Sequence, residues 1–420
     1  MIRKERILLC KPRMSGRELD FIRPALAEDW AVPMGPDVNA FERELGTVIG
    51  ADHVVALESG TSAIHLALIL CGVRPGDEVI VQSMTFCASS NPIAYLGATP
   101  VFIDSERETW NMDPVLLEEA IKDRIAKTGK RPKAIIPVAL YGMPYKIERI
   151  LDIANRYEIP VIEDAAEGFC SRYKGKILGT FGCFGILSFN GNKMITTSGG
   201  GALICPDKKT ADKAKWYATQ AREGYPYYQH EVVGYNYRLS NISACIGRAQ
   251  LTVLDEHLAH HKHVQELYCE LLKDVKGITM HTNPGKEYDS NFWLCTAILD
   301  PDLKIKGQEN AYKTIITGAV GGAAGVIHTA STATTDCQPN DNVEALRVYL
   351  DKANIEARPL WKPMHKQPVY KDAPAYVNGV SESLFKVGIC LPAGPYVTDD
   401  DVRYIADTIK SAINGVENHF

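Results

Sequence analysis

Lys193 is followed by two apolar residues, two threonines, a serine and three glycines in SFNGNKMITTSGGGALI, residues 188–204. Glycines permit tight backbone geometry and the close approach of another group. A lysine held there, at the edge of a strand system, can be desolvated, which lowers its pKa and makes it a nucleophile toward carbonyls. Taken alone, Lys193 fits a surface lysine beside a turn better. Asp164, in VIEDAAEGF (161–169), closes a strand that reads as buried. A lone buried carboxylate is costly unless a cation meets it. A protonated pyridine nitrogen is such a cation, and keeping it protonated makes the ring an electron sink. Asp164 also suits a cap for a following helix. The turn Ser59-Gly60-Thr61-Ser62 opens a helix and offers free backbone N–H groups and hydroxyls to a phosphate. Phe86, in MTFCAS, could lay an aromatic face over a flat ring or pack into the core.

Gathering these groups requires a scaffold whose strand ends converge. PDVNAFERELGTVIG (36–50) reads as an amphipathic helix with Phe41, Leu45 and Val48 on one face. The chain then alternates. HVVALESG, DEVIVQS, TPVFID, KAIIPVALYG and IPVIEDAAE read as strands. TSAIHLALILCGV, TFCASSNPIAYLG, DPVLLEEAIKDRIA and KIERILDIANRYE read as helices, with Ser59 or Thr61 as a possible cap for the first. Short apolar runs between amphipathic helices indicate a parallel sheet covered on both faces. Ligands of such sheets lie at the carboxyl ends of the strands. Glu58 to Thr61, Thr85, Phe86, Tyr141 and Asp164 should therefore meet at one site. A long helical stretch, 249–275, is suited to linking a large domain (1–250) to a smaller C-terminal α/β domain (251–420). The Gly-, Ala-, Thr- and Ser-rich stretch 315–343 reads as a loop or insertion.

With 420 residues, two domains is the natural expectation. A hydrophobic content of 45% and a charged content of 23% match an ordinary soluble globular protein. A net charge of −5 gives no reason to expect nucleic acid or an anionic membrane surface. No apolar run approaches a bilayer span, and the N-terminus does not read as a signal peptide, so a cytoplasmic protein is expected. The eleven cysteines include no CxxC pair and read as reduced, buried small hydrophobes. His257, His260, His261 and His263 read as a solvated helix face rather than a metal site, and no metal is expected.

Taken together, SGTSAIHLAL, TFCASSNPIAYLGATPVFIDSERETWNMD, LYGMP, VIEDAAE, SFNGNKMITTSGGGAL and GYNYRLSNISACIG resemble the DegT/DnrJ/EryC1/StrS sugar aminotransferases, from about residue 12 to 410. The resemblance implies the fold-type I architecture of pyridoxal 5′-phosphate (PLP) enzymes: a large three-layer α/β/α domain with a mostly parallel sheet, plus a smaller α/β domain. It makes Lys193 the Schiff-base lysine and proton shuttle, and Asp164 the partner of the pyridine nitrogen. Gly60, Thr61 and Ser188 would bind the phosphate, Phe86 would stack on the ring, and Glu167 would lie beside it. Asn236 would reach the cofactor of a neighbouring subunit, implying a homodimer with shared active sites. Ser198 to Gly201, TQARE (219–223) and EARPLWKPMH (356–365) look most like the bacillosamine-pathway subgroup. Similarity to that subgroup implies amination at C4 of a UDP-linked 4-keto-6-deoxy-N-acetylhexosamine, with L-glutamate as donor, for bacterial glycan or glycoprotein synthesis. It would set Trp30, Ala31, Val32, Pro33, Arg358, Trp361 and Tyr376 around the nucleotide sugar. The alternatives are a dTDP- or GDP-linked sugar, a C3 keto group, or a sugar dehydratase. The dehydratases of this family carry His where this chain has Lys193.

Overall fold

The structure, a computed structural model, describes residues 5–312 and 337–413. Most of the Gly/Ala-rich stretch expected at 315–343 lies outside the described residues, and its last residues open the helix Asp341–Lys352. Strands β1 (Val54–Leu57), β2 (Glu78–Gln82), β3 (Thr99–Ile103), β4 (Ile135–Ile136) and β5 (Ile162–Asp164) alternate with helices. A hairpin of β6 (Arg172–Tyr173) and β7 (Lys176–Ile177) precedes β8 (Phe184–Ser188) and β9 (Gly201–Ile204). The later chain adds β10 (Ile278–Met280), β11 (Tyr288–Asp289), β12 (Cys295–Leu299), β13 (Arg358–Pro359), β14 (Ala375–Tyr376) and β15 (Gly388–Leu391).

The order β14-β3-β2-β4 is parallel throughout, and in β1-β9-β8-β5 only β9 runs against its neighbours. Parallel bridges Ile135–Val161 and Val138–Asp164 join the two sets edge to edge. Alternate residues feed opposite faces, as the two-residue period of a strand requires. Val54, Ala56, Ile80, Val101 and Ile103 enter a core with the helices Pro36–Ile49, Pro114–Thr128 and Ile147–Arg156. Val55, Leu57, Val79, Val81 and Phe102 enter another core, with the helix Gly60–Leu70. The sheet is thus mostly parallel and buried on both faces.

Three expectations are corrected. The helix expected over 85–97 is a 3-10 turn, Cys87–Ser89, and a separate helix, Asn91–Tyr95, with Pro92 in its first turn. Proline suits a first turn and cannot continue one. The strand expected through Gly142 ends at Ile136, because Pro137 has no N–H to give the ladder. The stretch 249–275 is two helices, ending at Leu251 and restarting at Leu254.

A second core joins the helices Leu254–Leu272, Asp341–Lys352 and Asp399–Ala412 to the antiparallel sheet β10-β12-β15-β13. Ile7 enters it through a parallel bridge to Ile355. The histidine row on Leu254–Leu272 is not one solvated face. His257 and His261 are buried, with Nδ1 3.4 Å from Met194 O and 3.2 Å from Phe292 O. Burial pushes both imidazoles down, His261 to about 3, so both stay neutral. His260 is half-buried, and His263 is exposed, 2.8 Å from Asp399. Among the described residues no three His, Cys, Asp or Glu side chains are grouped to hold a metal ion, and no helix is long and apolar enough to cross a membrane.

Candidate active site

Strand ends β1, β2, β5 and β8 open on a cavity of about 300 Å³. Lys193 reaches it from the loop between β8 and β9. The loop is pinned at its base by Phe189 N–H donating to Gly200 O (2.8 Å) and Thr197 N–H to Phe189 O (3.0 Å). Inside it, Thr196 Oγ1 accepts from Ser198 N–H (2.9 Å) and the Thr197 hydroxyl donates to Gly199 O (2.9 Å). Ser198 takes φ 75° to make the turn. A Cβ at Gly201 would collide with the backbone of Ser59 and Gly60, so the glycine lets β9 lie against the first turn of the Gly60 helix. The Thr-Thr-Ser-Gly-Gly-Gly run is thus what fixes the lysine loop to β1. Lys193 Nζ lies 3.5 Å from Glu167 Oε1 and 3.8 Å from the Trp293 ring centroid.

Asp164 ends β5 at the cavity floor. Its Oδ2 accepts the Ser89 hydroxyl at 2.6 Å, and Ser89 in turn meets Thr85 Oγ1 at 2.7 Å. Its Oδ1 accepts Ala166 N–H at 3.1 Å. Among the described residues no lysine or arginine is within ion-pair distance of it. Burial pushes its pKa up, against the Ser89 and Ala166 bonds and the Lys193 charge. Glu167 is likewise pushed up by burial, opposed by Lys193 and by Tyr141 N–H, which donates to its Oε2 at 2.7 Å.

At the other end stands the N-terminus of the helix Gly60–Leu70. Ser59 caps it, its Oγ accepting Ser62 N–H at 3.0 Å. The first-turn amides of Gly60 and Thr61 have no helical carbonyl to bond, and both residues line the cavity. A Cβ at Gly60 would sit 3.3 Å from that of Ser188, so the missing side chain leaves an anion pocket between turn and hydroxyl.

The structure therefore gathers Gly60, Thr61, Phe86, Asp164, Glu167, Ser188, Lys193 and Trp361 on one cavity. Phe86 is 52% exposed at its mouth, its ring 5.6 Å from that of Trp361. The other expected residues lie off the cavity wall. Asn236 is exposed, with Oδ1 accepting from Gln220 Nε2 at 3.1 Å. Trp30 is half-buried, and Ala31, Val32 and Pro33 are exposed. Arg358 stands in β13, its guanidinium donating to Glu356 Oε1 at 2.7 Å. Tyr376 lies on the edge strand β14, its hydroxyl donating to Asp123. Ser89, Asn192 and Trp293 line the cavity and were not foreseen. Trp293 comes from a short non-periodic stretch a hundred residues after the lysine, where no spacing signals a site. Ser89 falls in the stretch 85–97, which the sequence pattern alone continues as one helix.

The DegT/DnrJ/EryC1/StrS aminotransferase profile matches residues 12–316 and 308–410. The chain belongs to this family. It is 43% identical to EpsN of Bacillus subtilis (strain 168), provisionally named a pyridoxal phosphate-dependent aminotransferase, over 98% of this chain and 97% of that one. It is 32% identical to the GDP-perosamine synthase of Escherichia coli O157:H7, over 95% and 96%. A family aminotransferase from Brucella abortus superposes with a TM-score of 0.79 at 28% identity, covering 94% and 95%. The fold is that of the fold-type I sugar aminotransferases, and the cofactor is PLP.

The cavity suits that cofactor. It offers a buried carboxylate without a bonded cation, an anion pocket at a helix N-terminus, and a lysine beside them. Ser89 orients that carboxylate. Ser89→Ala should lower kcat about 10–100-fold, since a hydrogen bond to a charged group contributes about 1.5–3 kcal/mol. Steady-state kinetics beside cofactor titration by absorbance check this.

Proposed function

We propose that the protein transfers the amino group of L-glutamate to the C4 keto group of a UDP-linked 4-keto-6-deoxy-N-acetylhexosamine. The product is a UDP-4-amino-4,6-dideoxy sugar for bacterial glycan or glycoprotein synthesis, made in the cytoplasm. The observation that carries the chemistry is Lys193 Nζ held beside Glu167 in the cavity floored by Asp164. PLP, when bound, supplies a carbonyl for amine exchange and a ring that withdraws electrons. Asp164 would keep a proton on the ring nitrogen. The Gly60 and Thr61 amides and the Ser188 hydroxyl would anchor the phosphate, and Phe86 would lie over the ring. Lys193 is the base that takes a proton from glutamate Cα and the acid that later gives one to sugar C4. Trp361 and Trp293 wall the cavity with apolar surface and exclude water.

The UDP sugar is supported by the likeness of Ser198 to Gly201 and of 356–365 to the bacillosamine subgroup, and by Trp361 on the cavity wall. On this reading Trp30 to Pro33, Arg358 and Tyr376 face the nucleotide sugar in the assembled homodimer. Asn236 then reaches the partner's cofactor phosphate. The exposed apolar side chains Tyr225, Tyr227, Tyr228 and Val233, on the same loop, support such pairing. The likeness to a GDP-perosamine synthase favours a second reading, a GDP-linked sugar. Amination assays with mass detection against UDP-, dTDP- and GDP-4-keto sugars separate them. Amino product from the UDP sugar at the highest kcat/KM is expected. Preference for the GDP sugar selects the second reading, and no amination of any 4-keto sugar overturns both.

A further inference from the structure

We propose that Trp293 is a positioning residue for Lys193, holding both the amine and the backbone that carries it; this rests on Lys193 being the catalytic lysine. Trp293 is 2% exposed and comes from the short segment that leads into β12 of the second core. That segment is fastened to the far side of the site. Asn291 Nδ2 donates to Glu167 O (2.9 Å) and Phe169 O (2.8 Å), and its Oδ1 accepts Trp293 N–H (2.8 Å). Phe292 takes φ 48° between them. The indole then makes two contacts with the lysine loop. Its face lies 3.8 Å from Lys193 Nζ. Its Nε1–H donates to Asn192 O at 2.5 Å, an oxygen that also accepts the Cys10 thiol at 3.1 Å.

Packing alone would fill the space with any large apolar side chain. It would not aim the one polar atom of the indole at the carbonyl preceding the lysine. An aromatic face favours the protonated over the neutral amine. The N–H bond fixes the direction in which the side chain leaves the loop. Glu167 faces the amine at 3.5 Å, and Asp164 lines the same cavity.

Trp293→Leu removes both contacts, whereas Trp293→Phe restores the ring without the N–H. In the PLP-loaded enzyme, the pH midpoint of the visible absorbance band should fall by about 0.5–1 unit in Trp293→Leu and return in Trp293→Phe. Trp293→Phe should keep a kcat about tenfold below wild type with an unchanged KM for the sugar, the loss of one directed hydrogen bond. A Leu midpoint equal to wild type, or a shift that Phe does not restore, overturns the proposal. If Trp293→Leu does not fold, Trp293→Phe decides: kcat within twofold of wild type overturns it, and the tenfold loss sustains it. Failure of the underlying reading looks different, since the visible band would then persist in Lys193→Ala.

Discussion

Replacing Lys193 by alanine should cost at least about 10³-fold in kcat/KM, since one positioned acid–base group contributes about 10²–10⁴-fold and Lys193 serves two proton transfers. The loss should not come from unfolding. The loop that carries it is closed by the Phe189–Gly200 and Thr197–Phe189 backbone bonds and by threonine hydroxyls, none of which involves the lysine side chain. Thermal melting and far-UV circular dichroism of Lys193→Ala should therefore resemble those of the wild type without cofactor. The purified variant should also lack the visible band of lysine-bound PLP. Full activity in Lys193→Ala would remove the central assignment, whatever the sugar.

Replacing Asp164 by asparagine should act in opposite directions on activity and on stability. Removing one partner of a buried charge pair costs about 3–5 kcal/mol, so turnover should fall about 10²–10⁴-fold. In the protein without cofactor the same carboxylate has no bonded cation and a pKa raised by burial. Below the ordinary pKa of an aspartate, both folded and unfolded chains hold the proton, and Asp164 contributes nothing. As pH rises above that value, the unfolded chain loses the proton first, so Asp164 lowers stability until the folded carboxyl has also ionised. Asp164→Asn removes this penalty. Cofactor-free Asp164→Asn should melt above the cofactor-free wild type at neutral pH, and the gap should close as pH falls toward 4. PLP should raise the melting temperature of the wild type far more than that of the variant. A variant that melts lower than wild type at neutral pH without PLP would refute this account.

Much of this arrangement was legible in the chain because it follows local rules. The strands β1 to β5 are apolar runs bounded by turn residues, and the Gly60 helix is announced by its Ser59 cap. Gly60, Thr61, Phe86 and Asp164 could be grouped because parallel strands deliver their carboxyl ends to one edge, whereas Lys193 and Ser188 joined them only through the family resemblance. The failures lie where tertiary structure overrides periodicity. Polar His257 and His261 are drawn inward by the carbonyls of Met194 and Phe292, elements distant in sequence. Pro92 and Pro137 cut elements that hydrophobicity alone would continue. Trp293 reaches the lysine only because Asn291 fastens its segment to Glu167 and Phe169, a long-range polar contact without a sequence pattern.

The edge strand β14 has a temporal consequence. It is made from residues 375 and 376, yet it completes the sheet begun by β1 to β5. Ile7, near the start of the chain, waits for Ile355 to complete the other core. A ribosome delivering this polypeptide from its first residue cannot release a finished half. Until residue 376 has left the exit tunnel, β3 presents a bare row of backbone donors and acceptors, the kind of edge on which nascent chains stick to one another. The Pro374 carbonyl that accepts Phe102 N–H and the Tyr376 carbonyl that accepts Asp104 N–H are what finally seal it. Interrupted synthesis of this protein would thus leave an aggregation-prone fragment rather than an independently folded domain.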